Sequence, residues 1–407
     1  MDSPNLDMSY RREKSSLSKK IFFKLLSQLS HGYIQVVQGD NSYEFGDSNA
    51  DLRAQITITD DKAYQRIIWG GSIGAAEAYT EGFWYSDSVI NIIMIFSRNL
   101  KKLEKYEKRF SFISSLFNQI KHRLSSNSKS GSRTNIAAHY DISNDMYSMF
   151  LDPHMQYSSA IYNKTNCSLE QAQENKMALI CDYLELNEQD HLLEIGTGWG
   201  GLACYAAKHY GCQVTTTTIS PSQYAIAKER VKEQGLTDKI TLLLEDYRDL
   251  KGQFSKVVSI EMIEAVGHKF MPAYFNIIDK LLAPAGKLLI QSITINDQRY
   301  DDYRKNVDFI QRYIFPGGHL PSVSLICNQM KEQTSLYLDH FADFRLDYAN
   351  TLKEWRHRFL NHKSDILALG FSEDFIRLWE FYFCYCEGAF REKAIGLAHM
   401  GFVKSEY

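Results

Sequence analysis

Long apolar runs are missing from the sequence. The nearest approach, around Val89 to Phe96, is broken by Asn91 and falls far short of the roughly 18 to 20 residues that span a bilayer, so no transmembrane helix is expected. Paired cysteine spacing is missing too. The seven cysteines, an odd number, are Cys167, Cys181, Cys204, Cys212, Cys327, Cys384 and Cys386, and they follow the pattern of neither a disulfide framework nor a zinc site. A reducing compartment is the simpler expectation, and no metal centre is predicted. No internal repeat is found, and the net charge is only −3 over 407 residues. What is present is core-forming material. With 44% apolar and 23% charged residues, the composition excludes disorder, collagen and small disulfide scaffolds, and the length suits two ordinary domains or one large one.

The small net charge hides a division. Residues 1 to 134 hold 19 Lys and Arg against 14 Asp and Glu, a net of +5, whereas residues 135 to 407 hold 27 against 35, a net of −8. A basic first third implies an anionic partner, either a membrane surface or nucleic acid. Arg11, Arg12, Lys14, Lys19 and Lys20 precede an apolar group, as in a targeting peptide. Lys24 and Gln28 interrupt that group and no small-residue cleavage site follows, so the segment is expected to belong to the mature protein. Leu17, Ile21, Leu25 and Leu29 recur every four residues, which predicts an amphipathic helix with a basic polar side, packed on its own domain or touching a membrane. Short strands are expected at Tyr33 to Val37 and Ala54 to Thr59, with a turn at Gly39-Asp40, giving a small α+β module. A helical stretch from Arg98 to Arg123 carries eight basic residues against Glu104 and Glu107. The polar run Ser125 to Ser132 then reads as a linker. The expected domains are residues 1–124, a linker at 125–134, and residues 135–407.

Beyond the linker, apolar strands alternate with helices. Strands are predicted at His191 to Ile195, Gln213 to Thr218, Ile240 to Glu245, Lys256 to Ile260 and Lys287 to Thr294, with helices near 200–210, 221–234 and 269–282. Phe344 to Tyr348 and Ile395 to Lys404 are expected as late edge strands. This alternation predicts a doubly wound α/β sheet, which binds ligands at the carboxyl ends of its strands. Leu192 to Ile195 run directly into Gly196-Thr197-Gly198-Trp199-Gly200-Gly201, a turn that lets backbone approach a ligand closely. The spacing also matches the G-x-G-x-x-G of dinucleotide enzymes. Those require an acidic residue about 20 positions on for the ribose, and none occurs between Glu194 and Glu229.

Glu194-Ile195-Gly196-Thr197-Gly198-Trp199-Gly200-Gly201, followed by Thr218-Ile219-Ser220-x-x-Gln223, resembles class I S-adenosylmethionine methyltransferases and, in particular, the cyclopropane fatty acid synthase family. Further motifs share the resemblance in the same order: His139 to Asp145, Leu151 to Ser158, Asp246 to Asp249, Glu264 to Gly267, and Tyr313 to Gly318. The resemblance covers residues 135 to 407 and implies a Rossmann-like methyltransferase sheet. The preceding residues look like the lipid-binding extension of members that act on membrane phospholipids, which makes the whole an α/β catalytic domain with an N-terminal α+β lipid-binding domain.

Carried over by residue, the resemblance implies that Tyr157, Ser158, Glu194, Gly196, Thr197, Gly198, Gly200, Thr218, Ser220, Gln223, Asp246 and Tyr247 surround S-adenosylmethionine. Hydroxyl and amide groups suit the ribose, and Asp246 suits the adenine amino group. The implied reaction moves a methyl group onto the cis double bond of an unsaturated phospholipid acyl chain and forms a cyclopropane after a bound bicarbonate ion removes a proton. The bicarbonate pocket maps to Ser159, Glu264, Gln291, Ile293 and Tyr348. Aromatic faces are needed to stabilise the intervening carbocation, and Tyr140, Tyr157, Tyr162, Tyr313, Phe315, Tyr348 and Phe381-Tyr382-Phe383 are candidates. Two positions depart from the family: Ser159 stands where Cys is usual, and Gln291 where His is usual. Ala265 removes another His that many members carry. Gln291 carries no proton or positive charge, so a methyl- or methylene-branched product is the expected alternative. A non-catalytic lipid-binding protein is the reading from another class. The resemblance further implies a homodimer in the cytoplasm that meets the inner face of an anionic membrane and binds no nucleic acid.

Overall fold

A computed structural model describes residues 17–107, 143–164 and 166–406. The expected linker, Tyr140 and its motif as far as Ile142, Arg11, Arg12, Lys14 and most of the Lys-rich stretch lie outside these residues. The chain forms two compact units. One gathers Met1–Lys121, Asn306–Ile314 and Leu360–Ala394; the other comprises His122–Lys305, Phe315–Phe359 and Ile395–Tyr407. The sequence-based division into 1–124 and 135–407 differs from this, because two later segments return to the first unit.

In the first unit, strands β1 (Tyr33–Gln38), β2 (Asn41–Gly46), β3 (Arg53–Ile58) and β4 (Trp84–Ser86) form a sheet in the order β2-β1-β3-β4. Gly39, at φ +55°, turns the chain between β1 and β2, a conformation that glycine adopts without a Cβ penalty. Helices α1 (Lys62–Thr80) and α2 (Val89–Arg98) follow, and the Ser88 hydroxyl caps α2 by accepting from the Asn91 N–H. The predicted amphipathic helix spans 17–26. Phe22, Leu26 and Leu29 are buried, whereas Leu17 is exposed and Ile21 and Leu25 are half-buried, so the face packed within its own unit lies one position beyond the predicted stripe. The helix Glu373–Arg391 lies against α1 and α2. Gly388 permits this approach, since a Cβ there would stand 2.7 Å from Ile93 Cγ2. Phe381 joins Tyr79 at a ring separation of 5.7 Å, and it is buried with Tyr382 and Phe383. These three aromatics therefore build the core of the first unit, and Tyr313 belongs to that unit as well.

The second unit holds a seven-stranded sheet in the order β10-β11-β9-β8-β5-β6-β7. Its strands are β5 (His191–Ile195), β6 (Gln213–Thr217), β7 (Ile240–Leu243), β8 (Phe254–Ile260), β9 (Leu282–Ile295), β10 (Leu336–Asp343) and β11 (Ile395–Lys404). Strands β5 to β9 pair in parallel, whereas β11 runs antiparallel between β9 and β10. Helices α3 (Leu169–Tyr183), α4 (Gly201–Tyr210) and α5 (Pro221–Glu233) contribute to one core; α6 (Met271–Leu281) and α7 (Val323–Gln333) contribute to another. Successive strand residues divide between them. Leu193, Leu288 and Ile290 enter the α6 and α7 core, while Leu192 and Leu289 enter the α3 and α4 core. That division is the period-2 alternation of a sheet covered on both faces.

The edge strand expected at Phe344 to Tyr348 is not a strand. Pairing ends at Asp343, whose carboxylate accepts from the Arg345 N–H at 2.9 Å, and helix α8 (Arg345–Asn361) begins there. A short acidic side chain that satisfies an unpaired N–H of the first turn favours the helix. The other late strand, Ile395–Lys404, forms as expected. Among the described residues no helix is long and apolar enough to cross a membrane.

Candidate active site

The carboxyl ends of β5, β6, β7 and β8 gather the polar residues of the second unit. After β5 the chain passes through Gly196 and Gly198, at φ +105° and +52°. A Cβ on Gly198 would meet no atom within 4 Å, so the loop borders open space. Beneath it, Glu194 is buried and accepts from the Thr216 hydroxyl at 2.6 Å. Thr216 lies 2.7 Å from the Thr197 hydroxyl. Burial pushes the Glu194 carboxyl up to about 8, so it is protonated at neutral pH. Trp199 Nε1 donates to Asn144 Oδ1 at 2.9 Å, and Asn144 Nδ2 donates to Ser222 at 2.9 Å. The loop is thereby tied to the start of α5.

After β6, Ser220 caps α5 by accepting from the Gln223 N–H at 3.2 Å, and the Thr218 hydroxyl donates to Gln223 Oε1 at 3.0 Å. These three side chains therefore hold one another as well as facing the strand ends. After β7, Asp246 is buried and clasped by Arg248, with Nε at 2.7 Å from one carboxylate oxygen and a terminal nitrogen at 2.6 Å from the other. Tyr247 packs edge-on against Tyr274 with ring centres 5.5 Å apart. The residues fit S-adenosylmethionine, because the loop keeps open space above Gly198 and buried polar groups lie at the adjacent strand ends. Gly196, Thr197, Gly198 and Gly200 would receive its methionine part, Thr218, Ser220 and Gln223 its ribose, and Asp246 with Tyr247 its adenine.

The segment before α3 closes the other side. Its Ser158 hydroxyl accepts from Lys176 Nζ at 2.8 Å, and Gln156 Oε1 accepts from the same nitrogen at 2.9 Å. Lys176 is fully buried, and burial draws it down to about 8. The Tyr157 ring lies 5.3 Å from Trp355 and 6.2 Å from Phe315, and Tyr348 meets Trp355 edge-on at 6.2 Å. Those four rings form an aromatic wall.

Two carboxylates follow β8. Glu264 Oε1 accepts from the Ile293 N–H at 2.5 Å and the Ser292 hydroxyl at 3.2 Å, whereas its Oε2 is buried without a partner among the described residues. Burial, and then the charge of Glu261, push Glu264 up to about 8. Glu261 accepts three hydrogen bonds: the Ser159 N–H at 3.0 Å, Gln291 Nε2 at 2.7 Å and the Tyr348 hydroxyl at 2.7 Å. Burial raises its carboxyl as well, while these donors and the charge of Lys176 pull it back down. Gln291 Oε1 in turn lies 2.7 Å from His399 Nε2. Burial lowers His399 to about 3, so the ring is neutral and Nε2–H is the donor.

Bicarbonate does not fit this arrangement. Of the five residues mapped to it, Ser159, Gln291 and Tyr348 direct their donors at Glu261, and Ile293 directs its N–H at Glu264. The donors of these four residues are thus taken up by carboxylates of the chain itself.

Five residues at the site escaped the sequence: Lys176, Arg248, Glu261, Trp355 and His399. A signal existed for two of them. Lys176 falls on the inward stripe of α3 with Ala172, Met177 and Ile180, where a charged residue demands a partner. Glu261 directly follows β8, at the edge where such sheets bind ligands.

Comparison with known proteins adds an independent result. A family model described as mycolic acid cyclopropane synthetase matches residues 127–400, about two thirds of the chain. Cyclopropane-fatty-acyl-phospholipid synthase of Escherichia coli (strain K12) is 37% identical over 362 residues, covering 86% of this chain and 87% of that one. Tuberculostearic acid methyltransferase UfaA1 of Mycobacterium tuberculosis is 36% identical over 338 residues, 81% of this chain and 78% of that one. Among solved structures, cyclopropane synthase MmaA2 from Mycobacterium tuberculosis superposes with a TM-score of 0.63 at 29% identity, over 67% of this chain and 98% of that one. Mycolic acid cyclopropane synthase CmaA1 complexed with SAH and CTAB gives 0.63 at 27% identity, again over 67% and 98%.

Proposed function

The chain belongs to the mycolic acid cyclopropane synthetase family of S-adenosylmethionine-dependent methyltransferases, and from that premise we propose that it methylates the cis double bond of unsaturated acyl chains in membrane phospholipids, closing a cyclopropane. The carrying observation is the meeting of an aromatic wall with a half-buried carboxylate at Tyr348, which packs on Trp355 and donates to Glu261. An isolated double bond is a weak nucleophile, and methylating it leaves a cation that must then lose a proton. S-adenosylmethionine supplies the electrophilic methyl group. The rings of Tyr157, Phe315, Trp355 and Tyr348 offer π faces to the cation without being consumed. Bicarbonate forms no part of this reading, because its donors are engaged.

A methyl- or methylene-branched product is the second reading. It is favoured by the neutral Gln291 and by the identity to a relative named for tuberculostearic acid. Expression in cells that lack such an enzyme, followed by gas chromatography and mass spectrometry of phospholipid acyl chains, separates the two. Unmodified chains alone would refute both.

The phospholipid substrate draws support from the Escherichia coli relative, whose match covers too large a share of the chain to lie within residues 127–400 alone. The first unit would be the lipid-binding part. Its Lys20, Lys24, Lys101 and Lys102 are exposed, which suits contact by a cytoplasmic homodimer with an anionic inner leaflet. Sedimentation with anionic and zwitterionic vesicles tests this contact, and equal binding to both at low salt counts against it.

A further inference from the structure

We propose that Glu261 is the catalytic base, a carboxylate built into the chain that takes the proton otherwise assigned to an exogenous anion. The inference rests on the acyl-chain methylation reading and deepens it. Three donors from separate parts of the second unit, the Ser159 N–H, Gln291 Nε2 and the Tyr348 hydroxyl, converge on this one side chain at 2.7 to 3.0 Å. They are the groups that would otherwise bind a small planar oxyanion, and a glutamate carboxylate has the same planar pair of oxygens.

The backbone supports this assignment. Glu261 sits at φ +48°, a left-handed region that disfavours any residue with a Cβ. Glycine would relieve that strain but would remove the carboxylate. The residue is only half-buried, so part of its surface remains open. Gln291 needs no charge for its role, because the neutral His399 fixes its amide through Oε1 and aims Nε2 at Glu261. The neighbouring acid behaves differently. Glu264 has fewer donors and the Glu261 charge beside it, which keeps it protonated. Burial raises both carboxyls, but the three donors converging on Glu261 favour its ionised form more than the two on Glu264 do, and this difference in donors makes Glu261 the base of the pair. Lys176, Tyr348, Glu264 and His399 are the titratable groups coupled to this pair or its donors.

The step balances without another reactant. The π pair of the double bond forms a C–C bond to the methyl carbon, and the S–CH3 bond breaks with its electron pair remaining on sulfur. One C–H bond of the new methyl then breaks, its electrons close the third ring bond, and the proton passes to a Glu261 oxygen. Solvent later receives that proton.

The test uses the full chain with vesicles of cis-monounsaturated phospholipid, measuring S-adenosylhomocysteine release and acyl products in buffer stripped of carbon dioxide and in buffer with added bicarbonate. The wild type is expected to react equally in both. Glu261→Gln, which keeps the shape, should be slower by about 10²- to 10⁴-fold, as loss of a general base predicts. Glu261→Gly relieves the backbone strain and frees the three donors. It should be inactive in stripped buffer and regain activity with bicarbonate. Retained stabilisation of each variant by S-adenosylmethionine in a melting experiment shows that it is folded. A wild-type rate that collapses on stripping and returns with bicarbonate overturns the inference, as does a Glu261→Gln rate equal to wild type. Absence of S-adenosylhomocysteine release from any unsaturated phospholipid overturns the acyl-chain reading itself, and the inference with it.

Discussion

Gly201→Ala places one methyl group where the second unit has no room. A Cβ on Gly201 would stand 2.5 Å from the His154 carbonyl oxygen and 2.3 Å from Gln156 Nε2, against about 3.5 Å for an ordinary contact. The neighbours must retreat by about 1 Å, and both are anchored. Asp152 accepts from the N–H groups of His154 and Gln156 at 2.9 and 2.8 Å, and Lys176 holds the Gln156 side chain at 2.9 Å. Overpacking of this kind costs about 1–3 kcal/mol. An opposing term exists, since alanine is preferred over glycine inside a helix by up to about 1 kcal/mol. Gly201 is the first residue of α4, where that gain is smaller, so the clash dominates and the variant should lose about 1–2 kcal/mol. At roughly 2–4 °C per kcal/mol for a unit of this size, Tm should fall by about 2–8 °C in calorimetry. The same shift moves Tyr157 and Ser158, so S-adenosylmethionine should bind more weakly in a titration. An unchanged or raised Tm would refute the steric reading, because without the clash alanine would stabilise the helix.

Other outcomes follow from the same geometry. Glu194 keeps its proton to about pH 8 in the fold but loses it near its ordinary value when unfolded, so the wild type loses stability as pH rises through that window. Glu194→Gln removes the dependence, and its stability relative to wild type should grow from pH 4.5 to 8 by on the order of 5 kcal/mol; a constant difference in denaturant titrations would contradict this. Tyr348→Phe removes one of three donors to Glu261, worth about 1.5–3 kcal/mol to a charged acceptor. The rate at neutral pH should drop tenfold or more, and the acidic limb of the pH–rate profile, where the base takes up its proton, should move to higher pH; an unmoved limb with a normal rate argues against the contact. Arg248→Ala strips the bidentate partner from buried Asp246. Loss of about 3 kcal/mol and weaker S-adenosylmethionine binding are expected, read by melting and by titration, and no change in either would exclude the clasp.

The sequence by itself determined what depends on near neighbours. Strands β5 to β9 and β11 were legible because apolar periodicity is local, and the turn after β5 because glycine spacing is local. The Thr218 to Gln223 cap was visible for the same reason, since Ser220 satisfies an N–H only three residues away. Tyr348 was marked as a site residue but placed in a strand, because its aromatic, apolar surroundings hide the Asp343 cap that starts a helix. Only the tertiary structure decided which donors meet which acid. The partners of Glu261 lie 102, 30 and 87 residues away along the chain. Their convergence depends on the register of β8 against β9 and of β9 against β11, and on the packing of α8, which no window of neighbouring residues contains. The return of Asn306–Ile314 and Leu360–Ala394 to the first unit has the same cause. An apolar helix face records that it must be buried, but the choice of surface that buries it is made by the folded chain.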